Sequence, residues 1–455
     1  MRRIVMHDAV NSKYRFLSPY KIVFAGLLTL VLIVGLAACS GKKLNEINLM
    51  PAPDIYEEGA IDPFTDTNPI EKIPYKGILY ATDRSPAGEN DHFYKNKRGN
   101  LLRLGSAKIK AGKKDITWEE ARRISLLKNR TDKYPIKVTE VEELGILDRS
   151  ITVFTPPDLI TKELYQPAER FAELVNEKLK QSQRKDIYIY VHGYKVVFEN
   201  PILVATELWH FLGYDGVFIA YAWPSTPKTL AYVSDAETAA LSSHFLQIFL
   251  QYLAKETDAK NIHIVGYSAG TRVVITALAQ LAMLHTEQDK ATIQRKLKIG
   301  HVILTASDFD RQLFGIQIDK GLLKIPKTLT VYVSESDSAL GFSNWLFGRE
   351  RLGQMWKDRK LPDTAVSYLR KRQELIFIDV TDAESATTGN GHAYFRKSPW
   401  TSSDILMTLM HDLKPDERGL IQSEDIPIWT FPPDYIQRLR TALIEVLPDA
   451  KNSLK

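Results

Sequence analysis

NIHIVGYSAG, the stretch Asn261–Gly270, passes from one kind of sequence to another within ten residues. Asn261–Gly266 is a short apolar run rich in isoleucine and valine, which predicts a buried strand. From Ala269 to about Leu284 apolar residues recur at helical spacing, which predicts a helix. At the junction, Gly266, Ser268 and Gly270 make a G-x-S-x-G match. The spacing has a mechanical reason. A serine on a sharp, strained strand-to-helix turn projects its hydroxyl from the carboxyl edge of a sheet, and the flanking glycines let the two backbones approach. The helix N-terminus adds unpaired N–H groups that face developing negative charge. A glycine-rich packing turn would spell the same string, so its weight comes from the strand before it and the helix after it.

The same alternation extends in both directions. Upstream lie the predicted strands Gly77–Ala81 and Leu101–Ile109, a β-rich patch within Tyr134–Phe154, a helix over Thr161–Gln183 and the strand Asp186–Val191. A helix near Pro201–Leu212, the strand Val217–Ala222 and the helix Ala236–Lys255 follow. Downstream come the strands Ile299–Ala306 and Leu329–Ser334 with an irregular stretch between them, then Glu374–Val380, a helix around Ser402–Leu413 and another over Pro433–Val446. Continuous apolar strands separated by amphipathic helices predict an α/β fold, a mostly parallel sheet with helices on both faces.

An ordinary serine needs a base within hydrogen-bond reach, and the base needs a third group to orient it. On this kind of sheet they follow in the order serine, acid, histidine. His285, His301, His392 and His411 come after Ser268. His285 ends the helix that starts at the serine, His301 starts a strand at the opposite edge, and His411 sits in a helix. His392 lies in TTGNGH, a glycine-rich loop beyond the last strand, and is the candidate base. For the acid, Asp337 and Asp308 both follow a strand. Asp337 is preferred because its strand directly precedes the one leading to His392, and Asp308 stays open. Either aspartate would also serve as a turn or helix cap. Backbone N–H groups of Ala269, after the serine, and Tyr194, in the His192-Gly193-Tyr194 turn, are candidate donors to an oxyanion. His192 itself is read as a brace for that turn.

Together, HGY after one strand, GYSAG after another, Asp337 after a third and Gly391-His392 near the end resemble the α/β-hydrolase superfamily, of the serine esterase and lipase kind. Leu79–Arg84 (LYATDR), Tyr221–Ser225 (YAWPS) and Arg351-Leu352-Gly353 are similar to a bacterial branch catalogued as a domain of unknown function. The resemblance spans roughly Gly77 to Leu413. It implies Ser268 as nucleophile, Asp337 as acid and His392 as base, ester hydrolysis through an acyl-enzyme, and no metal or organic cofactor. It leaves amide and thioester bonds open, as well as a non-catalytic binding protein that keeps the fold.

The formal charge of +5 comes from 60 basic and 55 acidic residues, and residues 1–38 hold five of the basic ones against one acid. The remainder is almost neutral, so composition points to no nucleic-acid partner. The basic start is followed by apolar Ile22–Leu36 and then Ala37-Ala38-Cys39-Ser40, with Cys39 the chain's single cysteine. This is the pattern of a secretory signal, and its ending resembles a bacterial lipobox whose cysteine is acylated. An uncleaved membrane span is the alternative, since the apolar stretch is at the short limit for crossing a bilayer. The expected organisation is a signal peptide at 1–38, a tether and wrap at 39–76, the hydrolase domain at 77–413 and a C-terminal extension at 414–455. The domain carries an aromatic, basic segment at 338–373 that reads either as a lid or as a helical pair packed on the core. The expected place is the cell envelope, lipid-anchored on the outer face of the inner membrane or in the outer membrane. Expected partners are a small-molecule or lipid ester and the membrane itself.

Overall fold

Asp186–Val191 alternates its side chains between two apolar layers, and this alternation sets the architecture. Ile187, Ile189 and Val191 pack into one buried cluster, while Tyr188 and Tyr190 pack into another on the opposite face of the sheet. The computed structural model describes residues 45–446 except 60, 89–92, 113–115, 161–164, 229–230 and 357–360. The predicted signal peptide and Cys39 lie outside the described residues.

In chain order the elements are β1 (Glu46–Asn48), β2 (Ile78–Pro86), β3 (Tyr94–Ala111), α1 (Trp118–Ser125), β4 (Pro135–Ile146), α2 (Gln166–Gln181), β5 (Asp186–Val191), α3 (Glu199–Phe211), β6 (Val217–Tyr221) and α4 (Tyr232–Glu256). There follow β7 (Asn261–Tyr267), α5 (Gly270–Leu284), α6 (Lys290–Leu297), β8 (Ile299–Thr305), α7 (Arg311–Asp319), β9 (Thr328–Val333), α8 (Ser338–Phe347) and α9 (Asp363–Arg370). The chain ends through β10 (Leu375–Asp379), α10 (Tyr394–Lys397), α11 (Pro399–His411), β11 (Ile421–Gln422), β12 (Trp429–Thr430) and α12 (Tyr435–Val446).

One 12-stranded sheet runs β1-β4-β3-β2-β6-β5-β7-β8-β9-β10-β12-β11. From β2 to β12 neighbouring strands are parallel, and antiparallel pairs close both ends. After β5 the chain crosses to β6 on one side and returns to β7 on the other. In open α/β sheets the crevice at such a reversal is where sites form. The loops after β5 and β7 are therefore neighbours at the carboxyl edge.

Helices α2, α4 and α5 cover one face, through Phe171, Phe249 and Val274. Helices α3, α11 and α12 cover the other, through Trp209, Leu406 and Leu439. The fold class is as the sequence predicts, but two local readings differ. The stretch between β8 and β9, expected to be irregular, contains α7, and α6 appears where no helix was predicted. Each buries only two side chains (Ile293 and Leu297, Phe314 and Ile318), so neither shows an apolar stripe. Their N-caps, Asp289 and Asp310, accept from Thr292 and Leu313 N–H groups at 2.9 and 2.8 Å.

The described part of the tether is built into the fold. β1 pairs with β4, and Met50, Ala52, Ile55 and Tyr56 are buried. Likewise the C-terminal extension adds two strands and buries Tyr435, Leu439 and Leu443. The sheet and both apolar clusters lie within Leu44–Lys455, which forms one compact unit.

Candidate active site

β7 delivers Ser268 into a turn that only a constrained chain would hold. The serine has φ of +51°, in the left-handed region, which costs a side-chain-bearing residue roughly 1–2 kcal/mol. Neighbouring strands enforce it. Ser268 N–H donates to Thr305 O at 3.0 Å, and the Thr271 N–H and hydroxyl donate to Ser268 O at 3.0 and 2.6 Å. Gly270 lies against β5, where a Cβ would meet His192 O at 2.2 Å. Gly193 comes from the other side, and a Cβ there would stand 2.8 Å from the Ser268 Cβ. Both glycines are required by contact, which the motif spacing anticipates for Gly270 alone.

His392 reaches Ser268 from the loop after β10. Its Nε2 is 2.8 Å from Ser268 Oγ, and its Nδ1 is 2.7 and 2.9 Å from the two oxygens of Asp337. A carboxylate only accepts, so Nδ1 carries the proton and Nε2 is left to accept from the serine hydroxyl. The expected loop is held in place. Gly391, at φ +66°, would clash with Ser336 O if it had a Cβ, and Ser338 N–H donates to Asn390 O at 3.1 Å. The Tyr267 ring packs against the imidazole at 5.2 Å between centroids.

Asp337 is at once the partner of His392 and the N-cap of α8. Its Oδ1 accepts from the N–H groups of Ala339 and Leu340, both at 3.1 Å. The helix N-terminus thus fixes the position of the carboxylate that the imidazole faces. Asp308, left open by the sequence, is occupied otherwise. Arg272 Nε donates to its Oδ2 at 3.0 Å, Ser343 Oγ to its Oδ1 at 2.5 Å, and Tyr232 OH to Oδ2, with Arg351 Nε 3.6 Å from Oδ1. This buried cluster, which sequence reasoning missed, fastens α8 to α4 and α5 beside the serine. Arg272 follows Ser268 by four residues on a helix, and that spacing was the one available signal.

The turn after β5 has its own supports. His192 is fully buried, its ring stacked on Trp223 at 5.3 Å, and burial with the nearby Arg84 charge holds its pKa down to about 3. Its Nδ1 and Nε2 lie 2.7 and 2.9 Å from Gly193 O and Trp223 O, so the ring braces the turn. Trp223 Nε1 donates to His192 O at 2.6 Å, and Arg84 donates to Val196 O at 3.2 Å. Tyr194 OH donates to Lys228 O at 2.5 Å, and its ring meets Tyr232 edge-on. Ala269 stands at the N-terminus of α5, where the first helical N–H groups lack intrahelical acceptors.

Within the expected lid segment, Leu340, Leu352 and Met355 are buried, and Trp356 packs edge-on against Phe377 at 5.3 Å. These residues are core, while Phe342 is half exposed.

A family model described as "Alpha/beta hydrolase of unknown function (DUF900)" matches residues 168–409, over half of the chain. The chain belongs to this family. No curated protein and no solved structure matches it. The alpha/beta hydrolase match contains β5 to most of α11, and with them Ser268, Asp337 and His392. It begins well after Gly77, so the LYATDR stretch on β2 supports the family core from outside it.

Proposed function

We propose that the protein is a serine hydrolase that cleaves a carboxylic ester through Ser268, His392 and Asp337. The observation that carries this reading is the unbroken line of contacts from Ser268 Oγ through the imidazole to the Asp337 carboxylate. His392 Nε2 takes the hydroxyl proton as Ser268 Oγ bonds to the ester carbonyl carbon. The N–H groups of Ala269 and Tyr194 face the oxygen that becomes negative. As the tetrahedral intermediate collapses, His392 returns the proton to the departing alcohol, leaving an acyl-serine. Water, deprotonated by His392, then releases the acid. The Asp337 carboxylate keeps Nδ1–H oriented and stabilises the imidazolium formed in each half-reaction. Hydrolysis of an amide or thioester would use the same steps.

As part of the same reading, the chain is exported and anchored in the cell envelope through a lipid on Cys39, in keeping with the lipobox-like LAACS at Leu36–Ser40. Incorporation of labelled palmitate that disappears in Cys39→Ala supports the anchor, and retained incorporation overturns it.

A fluorophosphonate probe tests the chemistry. The purified unit Leu44–Lys455 is expected to take the label, and Ser268→Ala and His392→Ala are expected to take none. A folded wild-type protein that stays unlabelled would remove the enzymatic reading and favour a binding protein on a hydrolase fold.

A further inference from the structure

Tyr394 stands two residues past His392, at the first position of α10, and is fully buried. A buried phenol is placed where its hydroxyl finds partners. Here the Ala306 N–H donates to the phenol oxygen at 2.5 Å, and the hydroxyl donates to Tyr332 O at 3.1 Å. Burial raises its pKa well above the ordinary tyrosine value, so the hydroxyl keeps the proton it donates.

The Ala306 N–H belongs to the same peptide group as Thr305 O, which accepts from Ser268 N–H at 3.0 Å. Among the described residues no peptide bond is cis. A trans peptide is planar, and its C=O and N–H point in opposite directions. One rigid plate therefore has the nucleophile's backbone on one side and the Tyr394 hydroxyl on the other. Ala306 itself has φ of +48°, a left-handed conformation that residues with a Cβ seldom hold, and the bonds at both ends of the plate keep it there.

The other contacts of the segment reach the rest of the triad. Tyr332 lies on β9, the strand that leads to Asp337. The Tyr267 ring, just before the serine, packs on His392 and on Phe395, at 5.2 and 4.8 Å between centroids. The Tyr394 hydroxyl thus joins the turn of Ser268, the loop of His392 and the strand before Asp337.

We propose that Tyr394 is a positioning residue for the triad, and that its hydroxyl sets the separation of Ser268 and His392 through the Thr305–Ala306 peptide. The proposal rests on the serine chemistry given above. Tyr394 acts through the backbone and exchanges no proton in the reaction.

Tyr394→Phe keeps the ring, removes the hydroxyl and leaves the buried Ala306 N–H without its acceptor. Tyr56→Phe is the control, since it removes another buried hydroxyl, bonded to Phe211 O at 2.7 Å at the end of α3. Each change is made in the unit Leu44–Lys455 and assayed well below its unfolding midpoint, with rates scored per serine titrated by the fluorophosphonate. Tyr394→Phe should lower kcat for a p-nitrophenyl ester about 10- to 100-fold, the scale of a misplacement near ~1 Å, with KM little changed. Its rate of fluorophosphonate labelling should fall in step. Tyr56→Phe should match wild type in both, although its unfolding midpoint drops as well. Equal kcat in the two variants would mean that Tyr394 only packs, and overturns the proposal, as does a loss confined to KM. A wild-type protein that takes no label instead removes the hydrolase reading, and this proposal with it. Amide hydrogen exchange in the wild type needs no variant. The Ala306 N–H should be as protected as the amides of β8, and exchange at the rate of an exposed amide overturns the bond on which the positioning depends.

Discussion

Asp337 shows how one carboxylate satisfies two structural demands at the residue scale. Its Oδ1 caps α8, and both oxygens hold the His392 ring. An asparagine there could still accept the helix N–H groups, but its amide would present N–H groups to Nδ1. The imidazole would then carry its proton on Nε2 and could not accept from Ser268. Asp337→Asn is therefore expected to lower kcat by about 10⁴ with little change in unfolding midpoint, as steady-state ester kinetics and urea unfolding would report. Equal losses of activity and stability would point to a purely structural aspartate. Gly193→Ala makes a complementary prediction. Its Cβ would fall 2.8 Å from the Ser268 Cβ, so the turn must retreat, and with it the Tyr194 N–H. A loss of about 10²–10³ in kcat is expected in a folded protein, the cost of removing one oxyanion donor. Sequence order preferred Asp337 and left Asp308 open. What separates them is tertiary, because Arg272, Tyr232 and Ser343 come together on Asp308 from three different helices.

Among elements, the strands were legible because each central one is a short apolar run, and β5 has the predicted bounds, Asp186–Val191. Helices α6 and α7 were missed because their buried faces are two residues each, although Asp289 and Asp310 mark their starts. The contact of β2 with α4 also escaped the sequence, and it carries a pH dependence. Asp83 is buried, and burial raises its carboxyl from 3.8 to about 7 against the hydrogen bond from Ser242 and the charges of Arg84 and Arg98. In the unfolded chain it would ionise near the ordinary value. Below pH 3.8 both states hold the proton and the residue costs nothing. As pH rises toward 7, the folded state keeps a proton that the unfolded state releases, so stability falls, and above pH 7 the loss is constant. Asp83→Asn removes this term. Its stabilising effect should be small at pH 4 and on the order of 4 kcal/mol at pH 8, read as a difference in urea unfolding. A difference that does not vary with pH would refute the assignment.

For the whole molecule, the segments outside the family match are as much part of the core as those within it. Arg418, past the end of the match, forms a buried ion pair with Asp404 inside it, at 2.6 Å, and Tyr332 OH donates to the same carboxylate at 2.5 Å. Replacing Arg418 by alanine would leave the buried Asp404 carboxylate without its ion-pair partner, and should cost about 3–5 kcal/mol in chemical unfolding. Removal of residues 413–455 should be worse, since it also deletes β11, β12 and α12. The sequence showed α12 but not its role, because neither the partner of Arg418 nor the strand beside β10 has a local signal. Those added strands also decide how the sheet meets its surroundings. Its outermost members are β1, with three residues, and β11, with two. Edge strands that short offer few unpaired backbone groups to a second molecule. Copies crowded together at high local concentration would therefore have little opportunity to zip edge to edge, so the termini that complete the core also guard the fold against aggregation.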